Sequence, residues 1–405
     1  MTRPFLYLGV VCMLALAWHP RAQTAAGAAR PAPQNSDAPD VAVSAADVAA
    51  AIDKLGSFDL PVRTEASRTV RRAAVEVAVP ALTRAAREHR DGYVRYRALV
   101  LLAGFGEAST ADVMRQLMTD RNDRLRTVAY AWFEYHRDPG VLPVLIDALS
   151  REESEFVRPA LFRAVAADGD DPRARAALVP LIMRGQDDFR GALIEALGDY
   201  RATYAAKTIA DVAVLDGPLQ NDAVTALGKI GDQTTHDLLA ELQRSGPRDA
   251  QPAIAAALCL LGASCGANED YLKKSLVFGA TSESYQPLLR GAAHGLAVLA
   301  VRNNAGALTA LLDAGVPARD PARAPIALAV GLVALRNPQI VLDVAEPRKD
   351  QQGVMELLRD AFDMLSSEDY ELERFYVEVR HAYWTAAANS PRRQLAEALI
   401  RTLEF

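Results

Sequence analysis

Gly262-Ala263-Ser264-Cys265-Gly266 has the spacing of a nucleophile elbow, the sharp turn that presents a serine for acyl transfer. That chemistry needs a strand before the serine and a helix after it. Here an apolar helical run precedes the string and a polar turn follows, so Ser264 reads as part of a helix stop. The five histidines outside the leading segment are His89, His136, His236, His294 and His381. They are scattered, and no two share metal-ligand spacing on one helix. Asp168-Gly169-Asp170-Asp171 lacks the alternating ligands and closing glutamate of a calcium loop, and reads as a solvated turn. No phosphate-binding glycine loop occurs. No catalytic residue, metal or cofactor is therefore expected. Cys259 and Cys265 lie six residues apart beside a long insertion. In an oxidising compartment they could form a disulfide that pins it, the alternative being a small buried apolar Cys259.

Arginine supplies the other candidate chemistry. Arg63, Arg95, Arg126, Arg158 and Arg190 recur every 31 or 32 residues, each with an acid three or four positions before it and an apolar neighbour just before it. A row of guanidinium groups could grip the carboxylates or phosphates of a partner. The accompanying acids favour a structural ladder instead, in which each arginine pairs with acids of its own and the next turn.

A fixed period of this length requires stacked helical repeats. Three residues after the arginines stand Ala66, Ala98, Ala129, Leu161 and Leu193, and seven after them Val70, Leu102, Phe133, Val165 and Leu197. These apolar columns are the buried stripe of an amphipathic helix. The column five residues after the arginines, Arg68, Val100, Ala131, Arg163 and Glu195, is mixed and predicts a face at least partly in solvent. Arg163 belongs to it, and with Tyr96, which shares a column with Thr64, Thr127 and Asn221, it forms the candidate interaction surface. The period continues through Gln220, Gln251, Arg290 and Arg323, with Gln352 as a tenth register position.

Each period has room for two helices. The second starts at the register position. The first is predicted over Val79–His89, Thr110–Met118, Val141–Leu149, Arg173–Met183, Tyr204–Val214 and Thr235–Gln243. Pro80 and Pro143 fit first helical turns, and Gly106, Gly169, Gly198 and Gly231 fit helix ends. Units that touch only their neighbours predict an elongated molecule, with ten units spanning roughly 90 Å at 8–10 Å per packed helix. Phe375, Val379 and Tyr383 share one helical face near the C-terminus and predict a terminal cap.

The acid-x-x-apolar-Arg opening, the small apolar residues after it, and endings such as Ala196-Leu197-Gly198 and Ala226-Leu227-Gly228 resemble the HEAT repeat family. The resemblance spans roughly residues 44–365 and is sharpest in the first five units. It implies an all-α fold, a right-handed α-solenoid of about ten HEAT-like helical pairs. It also implies a curved surface for other macromolecules rather than an enzyme. Chromophore lyases use related repeats, so the alternative is a HEAT-like lyase or ligand-binding protein acting on a bound small molecule.

Composition suits a folded chain, with 50% hydrophobic and 24% charged residues. Arg3 followed by the apolar run Phe5–Trp18 reads as an export signal, too short to span a bilayer comfortably. Cleavage is expected at Thr24-Ala25-Ala26, giving a signal peptide over 1–26, with an uncleaved anchor as the alternative. Residues 27–43 read as a disordered linker, 44–365 as the solenoid and 366–405 as the cap. Removing the leader removes Arg3 and Arg21 and no acid, taking the net charge from −6 to −8. An acidic chain is a poor nucleic-acid binder. The expected protein is an exported, monomeric, non-enzymatic scaffold, periplasmic or secreted, with a protein partner and no membrane span after cleavage.

Overall fold

The computed structural model describes residues 42–281, 283–365 and 369–405. The leader and most of the linker expected over 1–43 lie outside the described residues. Among those described there are α-helices and short 3₁₀ turns and no strand. The helices follow one another in pairs. The first pairs are α1 (Ala45–Lys54) and α2 (Leu60–Arg72), α3 (Val75–Glu88) and α4 (Gly92–Phe105), and α5 (Thr110–Leu117) and α6 (Asp123–Tyr135). Next come α7 (Leu142–Leu149) and α8 (Arg158–Ala167), α9 (Pro172–Leu178) and α10 (Asp187–Asp199), and α11 (Ala206–Ala213) and α12 (Gln220–Ile230). They continue with α13 (His236–Ser245) and α14 (Gln251–Leu260), and α15 (Cys265–Ala280) and α16 (Gln286–Val301). The last are α17 (Ala305–Gly315) and α18 (Arg323–Arg336), α19 (Pro338–Ala345) and α20 (Gln351–Met364), and α21 (Asp369–Thr385) and α22 (Pro391–Leu403).

Local chemistry sets many of these boundaries. The acids ahead of the first two arginines serve as helix caps. Asp59 accepts from the Val62 N–H and Asp91 from the Tyr93 N–H, and Asn122 takes the same role ahead of α6. Gly106 and Gly231 end α4 and α12 in the left-handed conformation, at φ 67° and 79°. Pro143 sits in the first turn of α7 as expected. Pro80 does not begin α3, which starts a turn earlier at Val75 and carries the proline inside.

The even-numbered helices stack on one another from α2 to α22 and form the inner layer, with the odd-numbered helices up to α19 outside and α21 packed instead on the inner helices α4, α6 and α18. Two glycines make the close approach possible. A Cβ on Gly198 would lie 2.8 Å from the Ala226 Cα, and one on Gly228 would lie 2.4 Å from the Ala257 Cα. Gly228 sits inside α12, whereas Gly198 lies one residue from the end of α10, near a helix end as expected. The Ala-Leu-Gly string thus marks a helix-on-helix contact as well as the approach of a helix end.

The array is not open. Helix α21 packs on α18 and α19, and it also packs on α4 and α6 from the other end of the chain. The apolar core divides into an N-terminal and a C-terminal cluster. Tyr370 belongs to the first, while Leu372, Phe375, Val379 and Tyr383 belong to the second. The stack therefore curls until its last unit meets its first, and the expectation of neighbour-only contacts and an elongated shape is corrected. No single helix among the described residues is long and apolar enough to cross a membrane.

Candidate protein-interaction site

The register residues share one task, except Arg290, whose Nε turns back to Gln286 O of its own helix at 3.3 Å. Each of the others points its N–H groups at the carbonyls that end the preceding first helix or the turn after it. Arg63 Nη1 reaches Ser57 O at 2.7 Å, Arg95 Nε reaches Ala86 O at 3.0 Å, and Arg126 Nη1 reaches Asp120 O at 2.8 Å. Arg158 Nε reaches Glu152 O at 2.5 Å and Arg190 Nε reaches Ile182 O at 2.9 Å. The glutamines do the same: Gln220 donates to Ala213 O at 3.1 Å and Gln251 to Leu242 O at 3.3 Å. The last four carbonyls of a helix have no partner within it, and this column supplies one. The tenth position is Gln351, which donates to Ala345 O and Glu346 O at 3.2 and 2.8 Å. Gln352 instead faces Glu356 at 3.0 Å, so the register expected from it is off by one residue.

Acid pairing is superimposed on this column at only some units. Arg95 binds Asp120 at 2.6 Å, Arg126 binds both Asp123 and Glu152 at 2.7 and 2.8 Å, and Arg190 binds Asp187 at 2.8 Å. Arg158 lies over the Phe189 ring, 4.4 Å from its centroid. Asp120 and Glu152 come from the following first helix or its end, so these bonds lock one pair to the next.

The two residues assigned to an exposed surface are both interior. Tyr96 is 4% exposed and donates to Asp369 Oδ2 at 2.5 Å. Arg163 is 8% exposed, bound through Nε and Nη2 to Glu134 at 2.8–3.1 Å and through Nη1 to Asp199 at 3.3 Å. From Val100 to Glu195 the mixed column faces the centre of the curl, which is lined with charge and largely shielded from solvent, while Arg68 at its start remains partly exposed beside Glu65. Lys229 Nζ lies 2.8 Å from Asp199, and Arg336 Nη1 meets the Tyr135 hydroxyl at 2.5 Å and Glu371 at 3.4 Å. Glu195 shares this centre. Its Oε1 is sealed without a hydrogen-bond partner, and burial pushes the carboxyl up to about 8 despite the Lys229 charge. Burial likewise pushes Asp222 up to about 6 and lowers His294 to about 3.

Cys259 and Cys265 are joined as a disulfide that ties the end of α14 to the start of α15. Glu269 lies beside them, but it is engaged by Lys273 at 2.5 Å and Asn304 at 2.7 Å. Ser264 occupies the same turn in the left-handed region, at φ 48°. Asp171 caps α9 through the Arg173 N–H at 2.8 Å, and His136 stacks on Trp132.

What faces water is different. The turns that join the first to the second helix of each pair run along one edge of the stack. Phe58, Phe156, Met183, Val214 and Leu215 are exposed there, Phe156 by 75%. An open cleft along this edge is lined by Phe156 and Phe189 with Asp123, Arg126, Glu152 and Glu155. Periodicity alone could not find these residues, because they sit in turns whose length and sequence vary from unit to unit.

A stack of paired helices with a polar, sealed centre and an apolar-studded edge defines the class as a helical-repeat solenoid. Residues 116–198 match the family of HEAT repeats, so the chain contains HEAT repeats over α6 to α10 and the end of α5. None of the curated proteins compared matches the chain. Among solved structures it is similar to YibA of Escherichia coli, at 16% identity over 55% of this chain and 83% of that one, with a TM-score of 0.41. It is also similar to the complex of CpcE and CpcF of phycocyanin lyase from Nostoc, at 17% identity over 57% and 92%, with a TM-score of 0.35. A third is importin beta, at 13% identity over 87% of this chain and 57% of that chain, with a TM-score of 0.36. The likeness is loose in each case, and none bears on what this chain binds.

Proposed function

We propose that the protein is an exported, non-enzymatic HEAT-repeat scaffold that binds a protein partner in the cell envelope along the edge of turns within its helical pairs. The observation that carries this reading is the row of large apolar side chains at that edge. Turns in water do not need Phe58, Phe156, Met183, Val214 and Leu215 exposed, and apolar groups gathered on one edge are what an interaction surface requires. Export rests on Arg3 and the apolar run Phe5–Trp18. The test is a pull-down from envelope extract with the mature protein, repeated with Phe58→Ala/Phe156→Ala. The wild type should capture a partner that the double variant loses at unchanged melting temperature. Equal capture by both removes the edge from the reading. A chromophore or other small molecule that co-purifies with the protein would favour the lyase alternative. N-terminal sequencing of the exported protein should find it starting at or near Gly27, and a full-length chain confined to the cytosol would overturn the export step.

A further inference from the structure

Helix α21 is sorted by chemistry around its circumference. Leu372, Phe375, Val379 and Tyr383 pack into the C-terminal core cluster, which holds the helix to α18, α19 and α22. Towards the N-terminal units it presents polar groups, with Arg374 over the Tyr135 ring and carboxylates on either side. Asp369 meets Arg97 at 2.6 Å and the Tyr96 hydroxyl at 2.5 Å. Glu373 takes a two-point grip from Arg71, with Nε at 2.9 Å and Nη2 at 2.5 Å. Only Tyr370 joins the N-terminal apolar cluster. One side of the helix is thus held by burial and the other by ions.

The surface it meets offers two guanidinium groups, Arg71 of α2 and Arg97 of α4, in an acidic chain. It is also shaped for a glutamate. A Cβ on Gly104 would lie 2.5 Å from Glu373 Oε1 and 2.9 Å from its Cγ, so the side chain rests where only glycine leaves room. Tyr93 and Tyr96 flank the groove, with Arg124 over both rings at 5.5 and 5.3 Å from the centroids.

We infer that the groove of Arg71, Arg97, Tyr96 and Gly104 is a binding site for an acidic helical segment of a partner protein, and that α21 occupies it in the ring-closed state. The inference rests on the scaffold reading and adds a second surface to the turn edge. Opening at this seam hydrates the carboxylates and the guanidinium groups together, so neither is stranded without partner or water. The apolar seam of α21 stays intact, and the ring parts on its ionic side. A segment with carboxylates at the spacing of Asp369 and Glu373, four residues apart on one helical face, replaces α21 contact for contact.

The test uses the full chain and a fluorescein-labelled peptide of residues 369–385 as the probe. Wild type is compared with Asp369→Asn/Glu373→Gln, which keeps the shape of α21 and removes its charge. The folded double variant should show a larger radius of gyration by small-angle scattering and bind the peptide at least tenfold more tightly than wild type. Adding Arg97→Ala should abolish that binding, and a peptide with both carboxylates changed to amides should not bind. A folded double variant that stays compact and ignores the peptide overturns the inference. So does binding that survives Arg97→Ala, a doubled mass in sedimentation showing exchange of α21 between two copies, or displacement of the peptide by a short oligonucleotide more readily than by unlabelled peptide. If the double variant does not fold, Glu373→Gln alone is read in the same way. An envelope partner that wild type captures and the peptide fails to displace leaves the scaffold standing and removes the groove. Peptide binding with no partner captured removes the scaffold reading alone.

Discussion

At the scale of the residue, the repeating arginine is a donor to helix-end carbonyls first and an ion-pair partner second. That ranking explains why glutamine stands at 220, 251 and 351, since its amide N–H can serve a carbonyl but not a carboxylate's charge. It also sorts the ladder by cost. Arg126→Ala leaves Glu152, itself buried, without its bidentate partner, and should lower stability by about 3 kcal/mol. Arg158→Gln keeps a donor near Glu152 O and loses mainly the Phe189 contact, and should cost about 1 kcal/mol. Urea unfolding of the two variants checks the order, and equal losses would refute it. The sealed centre makes a further prediction. Glu195 holds its proton up to about 8, whereas in the unfolded chain it loses it near its ordinary 4.5. The folded state therefore binds more protons across that window, and stability falls as pH rises. His294 acts oppositely, because it stays neutral down to about 3 while the unfolded group charges below 6.5. Its contribution is lost as pH falls from 6.5, and Asp222, at about 6, titrates in the same acid range. Between pH 6.5 and 8 Glu195 dominates, so the melting temperature of wild type should fall and that of Glu195→Gln should stay level. The misread residues have one cause. Polar residues in a mixed column suggest water, and Arg163 and Tyr96 are polar, but their partners Glu134, Asp199 and Asp369 lie 29, 36 and 273 residues away.

At the scale of the element, most of the array was legible because burial on one face imposes a period on the sequence. The predicted first helix Thr110–Met118 is α5 to within a residue, and Val141–Leu149 is α7 likewise. What the period could not reveal is why a position is small. Gly198 and Gly228 both close an Ala-Leu-Gly string, yet both also admit the backbone of the next inner helix. Gly→Ala inside a helix would ordinarily stabilise by about 1 kcal/mol. At Gly228 the new Cβ meets the Ala257 Cα at 2.4 Å, and overpacking of that kind costs roughly 1–3 kcal/mol. The clash is with backbone and cannot be relieved by a rotamer change, so Gly228→Ala should melt below wild type. A variant as stable as wild type would mean the helices part freely. The Cys259–Cys265 link belongs to this scale as well. Protein purified without reductant should show neither thiol alkylated. Reduction should cost on the order of 2 kcal/mol, as closing a loop this short implies. Two alkylated thiols in that material would show that the link does not form there.

At the scale of the whole molecule, a closed curl behaves differently from an open stack. In an open stack each unit leans only on its neighbours, and the ends fray independently. Here α21 joins the ends, so α2, α4 and α21 should gain and lose amide protection together. Hydrogen exchange on Glu373→Gln should show all three helices losing protection in concert while α10 to α14 keep theirs, and fraying confined to α21 would contradict the closure. Burial alone would raise the Glu373 carboxyl, but Arg71 and Arg380 outweigh it and hold it below its ordinary value. The closure is accordingly stable at neutral pH and is lost only as pH falls through that depressed value. The same feature orders events in time. The bond between Arg71 and Glu373 spans 302 residues, so the contacts that finish the ring have high contact order and form late. A chain leaving the ribosome or a translocation pore N-terminus first displays the arginine groove of α2 and α4 for as long as the remaining three hundred or so residues take to follow. During that interval the groove is open to any acidic helix within reach, including a chaperone's, and the final helix to emerge ends the exposure.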